Sequence, residues 1–234
     1  MPRPDFEPQG SPKSTFRGDI QGLRAVAVIL VILWHAGLSA LPGGYVGVDV
    51  FFVISGFLMT GILYREASFG RSISLSGFYA RRARRLLPAS ALLVIFVAVA
   101  TRVFLPSVRW GSIGRDLLAS SLFGMNWRLS SQSTDYLASS LAPSPLQHFW
   151  SLGVEEQFYF IWPVLLLIFT LRARRRRTSL TSGAALLLAA VTIPSLLWCI
   201  HLSSSNPGSA YFVTTTRLWE LAVGGAVAVF ALHL

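Results

Sequence analysis

The chain has 234 residues, 53% of them apolar and only 13% charged, with a mean hydropathy of +0.58, whereas ordinary soluble domains carry about 25% charged residues. These figures exclude an ordinary soluble domain. They also turn the formal charge of +10 from a nucleic-acid signal into the Lys/Arg excess of a membrane protein's cytoplasmic loops, and no nucleic acid is expected as a partner. The single cysteine, Cys199, excludes an internal disulfide framework and a cysteine-based zinc site.

In chain order, residues 1–16 contain four prolines and no apolar periodicity and read as a disordered cytoplasmic tail. Residues 23–41 form an uncleaved first span, because the apolar run is longer than a signal peptide's and a second follows at once. A Pro42-Gly43-Gly44 turn leads into a second span, 46–64, of a length that suits a bilayer. Residues 65–85 hold six arginines against Glu66, which by the positive-inside rule marks a cytoplasmic loop. Residues 86–105 return outward, with Pro88 expected in the first turn, where a missing N–H is tolerated.

The stretch 113–125 is apolar but too short to cross as a helix. Charge counting agrees, because 149–171 is a clear span followed by Arg172, Arg174, Arg175, Arg176 and Arg177, which should be cytoplasmic. Residues 106–148 are therefore expected outside, with 113–125 as a re-entrant or interfacial helix. Spans 180–201 and 212–234 complete the fold class. This is an all-α, polytopic transmembrane bundle of about six spans plus one re-entrant or interfacial helix, with the N-terminus inside and no soluble domain. The sequence stops within an apolar helix, so the natural protein is expected to continue.

Ionisable residues within spans are costly and mark candidate sites. His35 lies eleven residues beyond Arg24, about 16 Å along a helix. It reads either as a neutral imidazole bonded to a neighbouring helix or as a general base. Asp49, just past the Pro-Gly-Gly turn, either orients His35 as the third member of a triad does or is a first-turn aspartate favoured by the helix dipole. Ser55 has a nucleophile's hydroxyl, but no base is placed beside it by sequence, and Ser-x-small patterns are common in helix packing. In 147–159, Ser151, Glu155 and Tyr159 share one helix face, so Glu155 can point into the bundle while Glu156 must find water or a cation. His148 adjoins them. Arg217 and Glu220, at i and i+3, can pair with each other, as a site or as structure. Arg81, Arg82, Arg84 and Arg85 read either as a topology signal contacting lipid headgroups or as a bidentate phosphate site for a nucleotide-like donor. The four histidines lie on four different segments, and no metal site is expected.

Five elements together carry a resemblance: FRGDIQGLRAVAV with His35 following, PGGYVGVDVFFVISGFL, FYARRARRLLPA, LQHFWSLGVEEQFYFIWP, and TTTRLWELAVG. From about Phe16 onward the chain resembles the membrane acyltransferase-3 family, in particular the bacterial O-antigen and cell-envelope O-acetyltransferases. The resemblance implies an enzyme of the bacterial plasma membrane that moves an acyl group, acetyl above all, from cytoplasmic acyl-CoA to a hydroxyl of an envelope polysaccharide or lipid-linked glycan. It implies acyl-CoA as co-substrate with no bound cofactor. It makes His35 essential, supported by Arg24, and it links the arginine motif to the donor. It also implies further spans and often an added SGNH-type domain, so 17–234 reads as the N-terminal part of a larger acyltransferase domain. The competing expectation is a non-enzymatic transporter or flippase, since buried charges also line substrate pathways. A membrane scaffold is a third reading, and it leaves His35 and Glu155 without purpose.

Overall fold

A computed structural model describes residues 17–38, 40–69, 73–134 and 143–231. The tail 1–16 lies outside them. Among the described residues there are helices and no strands, and the chain divides into two compact units, Met1–Gly47 and Val48–Leu234.

In the first unit α1 spans Gly18–His35. It begins earlier than the apolar run, with Asp19 in its first turn, where a carboxylate suits the helix dipole. It stops at His35 rather than running to Leu41 because Gly37 adopts φ +77. The amides of Gly37 and Leu38 then close on the carbonyls of Trp34 and Leu33 at 3.0 and 3.1 Å, which is the Schellman ending of a helix. His35 is thus the last residue of its helix, not a residue within a continuing span.

The second unit is built on α2 (Gly47–Ser68), α3 (Leu75–Phe104), α4 (Ser107–Ser121), α5 (Met125–Ser133), α6 (Phe149–Arg176), α7 (Leu180–Ser205), α8 (Pro207–Phe212) and α9 (Leu218–Ala231). Its main core joins Phe52 and Leu63 of α2, Val154, Trp162 and Leu166 of α6, Leu188 of α7, and Leu221 and Val229 of α9. The backbones of α2 and α9 are in direct contact. A Cβ at Gly56 would strike the Leu221 carbonyl, and one at Gly224 the Val53 carbonyl, the small-residue packing that membrane helices favour. Trp162 Nε1 donates to Thr60 Oγ1 at 2.9 Å and Arg174 Nη2 to the Ala67 carbonyl at 3.0 Å, so α2 and α6 run side by side in the same direction.

Five described helices, α1, α2, α3, α6 and α7, are long and apolar enough to cross a membrane. The expected sixth crossing is divided. Asn206 caps α8 through its side chain and Pro207 occupies the first position, after which Val213 turns extended and a 3₁₀ turn, Thr214–Thr216, leads into the 14 residues of α9. The expected short helix at 113–125 is two helices, α4 and α5. The break lies at Phe123, whose φ is 53, and Gly124, whose amide returns to the Ala119 carbonyl at 2.7 Å.

One expectation needs correction. The arginine-rich stretch ending at 85 is not a loop throughout. Ser74 accepts the Gly77 amide and starts α3 at Leu75, so Arg81, Arg82, Arg84 and Arg85 are helical and Pro88 lies well inside the helix. Counting positive charge speaks only to the side of the membrane and is blind to where a helix begins.

Candidate functional site

The N-terminal half of α6 gathers the first polar cluster. Glu155 and Tyr159 are one turn apart, and the Tyr159 hydroxyl donates to Glu155 Oε2 at 3.4 Å. From α2, Ser55 Oγ donates to Glu155 Oε1 at 3.0 Å. Glu156 points elsewhere on α6 and, of the water or cation open to it, takes a cation, Arg82 of α3, whose Nε lies 3.0 and 3.1 Å from the two carboxylate oxygens. The Arg82 guanidinium also sits 3.5 Å from the centroid of the Tyr159 ring, a cation–π contact that a planar guanidinium makes well. At 1.5 Å per residue Glu156 stands about 10 Å from the Phe149 end of α6 and about 30 Å from its Arg176 end. The pair therefore lies within the helix bundle.

The remaining arginines of the motif behave differently. Arg81 approaches Glu66 at 3.8 Å with 61% of its side chain exposed, a pairing worth little in solvent. Arg84 Nε turns to the Ala80 carbonyl at 3.3 Å. Arg81, Arg84 and Arg85 are exposed and share one face of α3 by their i, i+3, i+4 spacing.

A second cluster surrounds Arg217. The expected pair with Glu220 is present at 2.6 Å, and the same Nη1 also binds Asp49 at 3.0 Å. Arg217 Nε donates to the Tyr211 carbonyl at 3.1 Å. Glu220 is 1% exposed, and its Oε2 has no hydrogen-bond partner among the described residues. Asp49 does lie in the first turn of α2, but its carboxylate is held by an arginine 168 residues away, a partner that no local spacing announces.

In the first unit His35 Nδ1 lies 2.8 Å from the Val31 carbonyl. A carbonyl only accepts, so Nδ1 carries the hydrogen, and in the neutral ring the lone pair is on Nε2. Arg24 lies on the same face of α1, about 16 Å earlier. His148 is the residue before α6 and makes no side-chain cap bond there. Ser151 Oγ turns back to its carbonyl at 3.4 Å. Of the predicted face Ser151, Glu155 and Tyr159, only the last two meet.

A cavity of about 570 Å³ lies between α3, the α4–α5 turn, α6, α7 and the start of α9, with Arg82, Glu156 and Tyr159 in an otherwise largely apolar wall. Sequence reasoning missed a network beside it. Gln157 Nε2 donates to the Phe123 carbonyl and to Asn126 Oδ1 at 2.7 and 2.9 Å, while Gln157 Oε1 accepts from Thr214 and from Trp127. Every amide valence of Gln157 is used, which makes it a lock between α5, α6 and the 3₁₀ turn rather than a ligand site.

Apolar helices of spanning length, with arginines and carboxylates paired between them, define a multi-pass α-helical membrane protein with a polar interior. The chain belongs to the acyltransferase-3 family, whose acyltransferase domain matches residues 17–233. It is 39% identical over 210 residues to "Peptidoglycan O-acetyltransferase OatA" of Listeria monocytogenes, covering 89% of this chain and 33% of that protein. It is also 39% identical over 218 residues to "Putative peptidoglycan O-acetyltransferase YrhL" of Bacillus subtilis, covering 89% and 32%. Against "O-acetyltransferase OatA" of Staphylococcus aureus it is 37% identical over 205 residues, covering 88% and 33%. The chain thus spans about a third of the length of these relatives. No solved structure matches it.

Proposed function

We propose that the protein is an O-acyltransferase of the bacterial plasma membrane, with its N-terminus in the cytoplasm, transferring an acetyl group from acyl-CoA to a hydroxyl of an envelope glycan. Family membership over nearly the whole chain carries the reading, and the names of the Listeria and Bacillus relatives point to peptidoglycan as acceptor. The exposed face of Arg81, Arg84 and Arg85 offers guanidinium groups to the anionic phosphates of the donor. Arg82 is already neutralised by Glu156, so its part in donor binding is the weakest of the four.

His35 is the group proposed to act on the acyl transfer. With Nδ1 committed to Val31, its Nε2 has the lone pair that either route requires, deprotonation of the acceptor hydroxyl or attack on the thioester. Arg24, Asp49 and Glu155 stand beside it as the proposed catalytic groups, and His148, Ser151, Arg217 and Glu220 as supporting ones. In cells carrying the complete protein, His35→Ala is expected to leave the protein in the membrane at normal amount while acetate released from purified envelope glycan falls to the level of the gene deletion. Wild-type acetate release from that variant refutes the assignment. Glycan export that persists with no dependence on acyl-CoA favours the transporter alternative.

A further inference from the structure

Hydroxyls inside these helices commonly close on their own backbone. Ser68 donates to the Tyr64 carbonyl at 2.8 Å, Ser121 to Leu117 at 2.8 Å and Thr170 to Leu166 at 2.7 Å, the usual resort of a helical Ser or Thr in apolar surroundings. Ser55 does otherwise. Its hydroxyl leaves α2 altogether and donates to a carboxylate oxygen of Glu155 on α6. The placement is rigid, because Gly56, the next residue, lies directly on the α9 backbone. Glu155 receives two hydroxyl donors, Ser55 and Tyr159, while the adjacent guanidinium of Arg82 is engaged by Glu156. A nucleophile's hydroxyl thus faces a carboxylate that no direct salt bridge neutralises among the described residues, which is how a general base is set against a serine.

We propose that Ser55 is an acyl-carrying nucleophile with Glu155 as its base, an inference that rests on the acyltransferase reading above. In the first step Ser55 Oγ attacks the thioester carbonyl carbon. The C–O bond forms as the C–S bond breaks, and the hydroxyl proton passes to Glu155 and from it to the departing sulfur, which leaves as the CoA thiol. In the second step a glycan hydroxyl attacks the ester carbonyl. Its proton is taken by His35, the acceptor-step base of the reading above, while Ser55 Oγ regains one through Glu155, and the free serine is restored with no oxidant or further reactant. Tyr159 is the positioning residue: its hydroxyl holds the second oxygen of Glu155, and it also forms part of the wall of the 570 Å³ cavity, so the cavity and the Ser55–Glu155 pair share a side chain.

The test uses the complete protein in detergent, given acetyl-labelled acetyl-CoA without glycan, with CoA release followed in time and labelled peptides identified by mass spectrometry. The expected result is a burst of CoA equal to the enzyme present and one acetyl group on the peptide containing Ser55. Ser55→Ala should abolish both. Ser55→Cys should restore label as a thioester cleaved by neutral hydroxylamine, a readout that a merely structural hydroxyl does not move. Glu155→Gln should slow the burst by about 100-fold or more. A wild-type protein that acetylates glycan with no acetyl on Ser55, or a Ser55→Ala variant that keeps the burst, overturns the proposal while sparing the acyltransferase reading. A wild-type protein that consumes no acetyl-CoA overturns both.

Discussion

At the scale of single residues, the most informative feature is how pairs of carboxylates are set against one arginine: both bind Arg217, whereas one of two binds Arg82. For Arg82 the carboxylates are neighbours in sequence, and the helix turns them apart so that only Glu156 takes the cation. Removing one partner of such a pair leaves an uncompensated charge, which costs about 3 kcal/mol or more when buried, whereas replacing both is often neutral. Arg82→Gln is therefore expected to lower the melting temperature in detergent markedly, and Arg82→Met combined with Glu156→Leu to recover most of the loss. Equal damage from the single and double replacements rules out the ion pair as the cause. That one glutamate of the Glu155-Glu156 doublet needs water or a cation was legible, and so was the Arg217–Glu220 pair from its spacing. The link from Arg217 to Asp49 and from Ser55 to Glu155 was not, because each joins residues 100 or more positions apart.

At the scale of elements, long apolar runs announced α1, α2, α6 and α7, since only length and hydropathy were needed. The ends were less legible. A glycine in the left-handed region stops α1 at His35, and Ser74 starts α3 eleven residues before the apolar run at 86. Neither signal is visible to a hydropathy window. The contact of α2 with α9 makes a sharper prediction. Gly56→Val places a branched side chain where the Leu221 carbonyl lies, and over-packing of this kind commonly costs about 1–3 kcal/mol or more. The variant should reach the membrane in reduced amount and lose its cooperative melting transition, whereas the same replacement at Gly111, where a Cβ meets nothing, should do neither. Ordinary behaviour of Gly56→Val excludes the close helix contact.

At the scale of the molecule, the excess of Lys and Arg retains its value as a compass even though part of it is drawn into the bundle. The run from Arg172 to Arg177 closes α6 with five exposed arginines, and that end is expected in the cytoplasm. Reporter fusions after Arg177 should be active inside the cell and fusions after Ser205 outside it. The reverse pattern overturns the proposed orientation and with it the side from which the donor arrives.

The half-buried setting of Arg82 also bears on how the protein is made. Arg82 emerges from the ribosome 74 residues before Glu156, so α3 meets the membrane while its guanidinium still lacks the carboxylate that will neutralise it. An arginine costs about 2.5–3.5 kcal/mol only at the centre of an inserting helix; Arg82 lies seven residues after the start of α3, and its exposed neighbours Arg81, Arg84 and Arg85 favour the interface for that end of the helix. Synthesis thus imposes an order that the finished structure conceals. The first turns of α3 are therefore expected to stay at the membrane surface until α6 arrives to receive them.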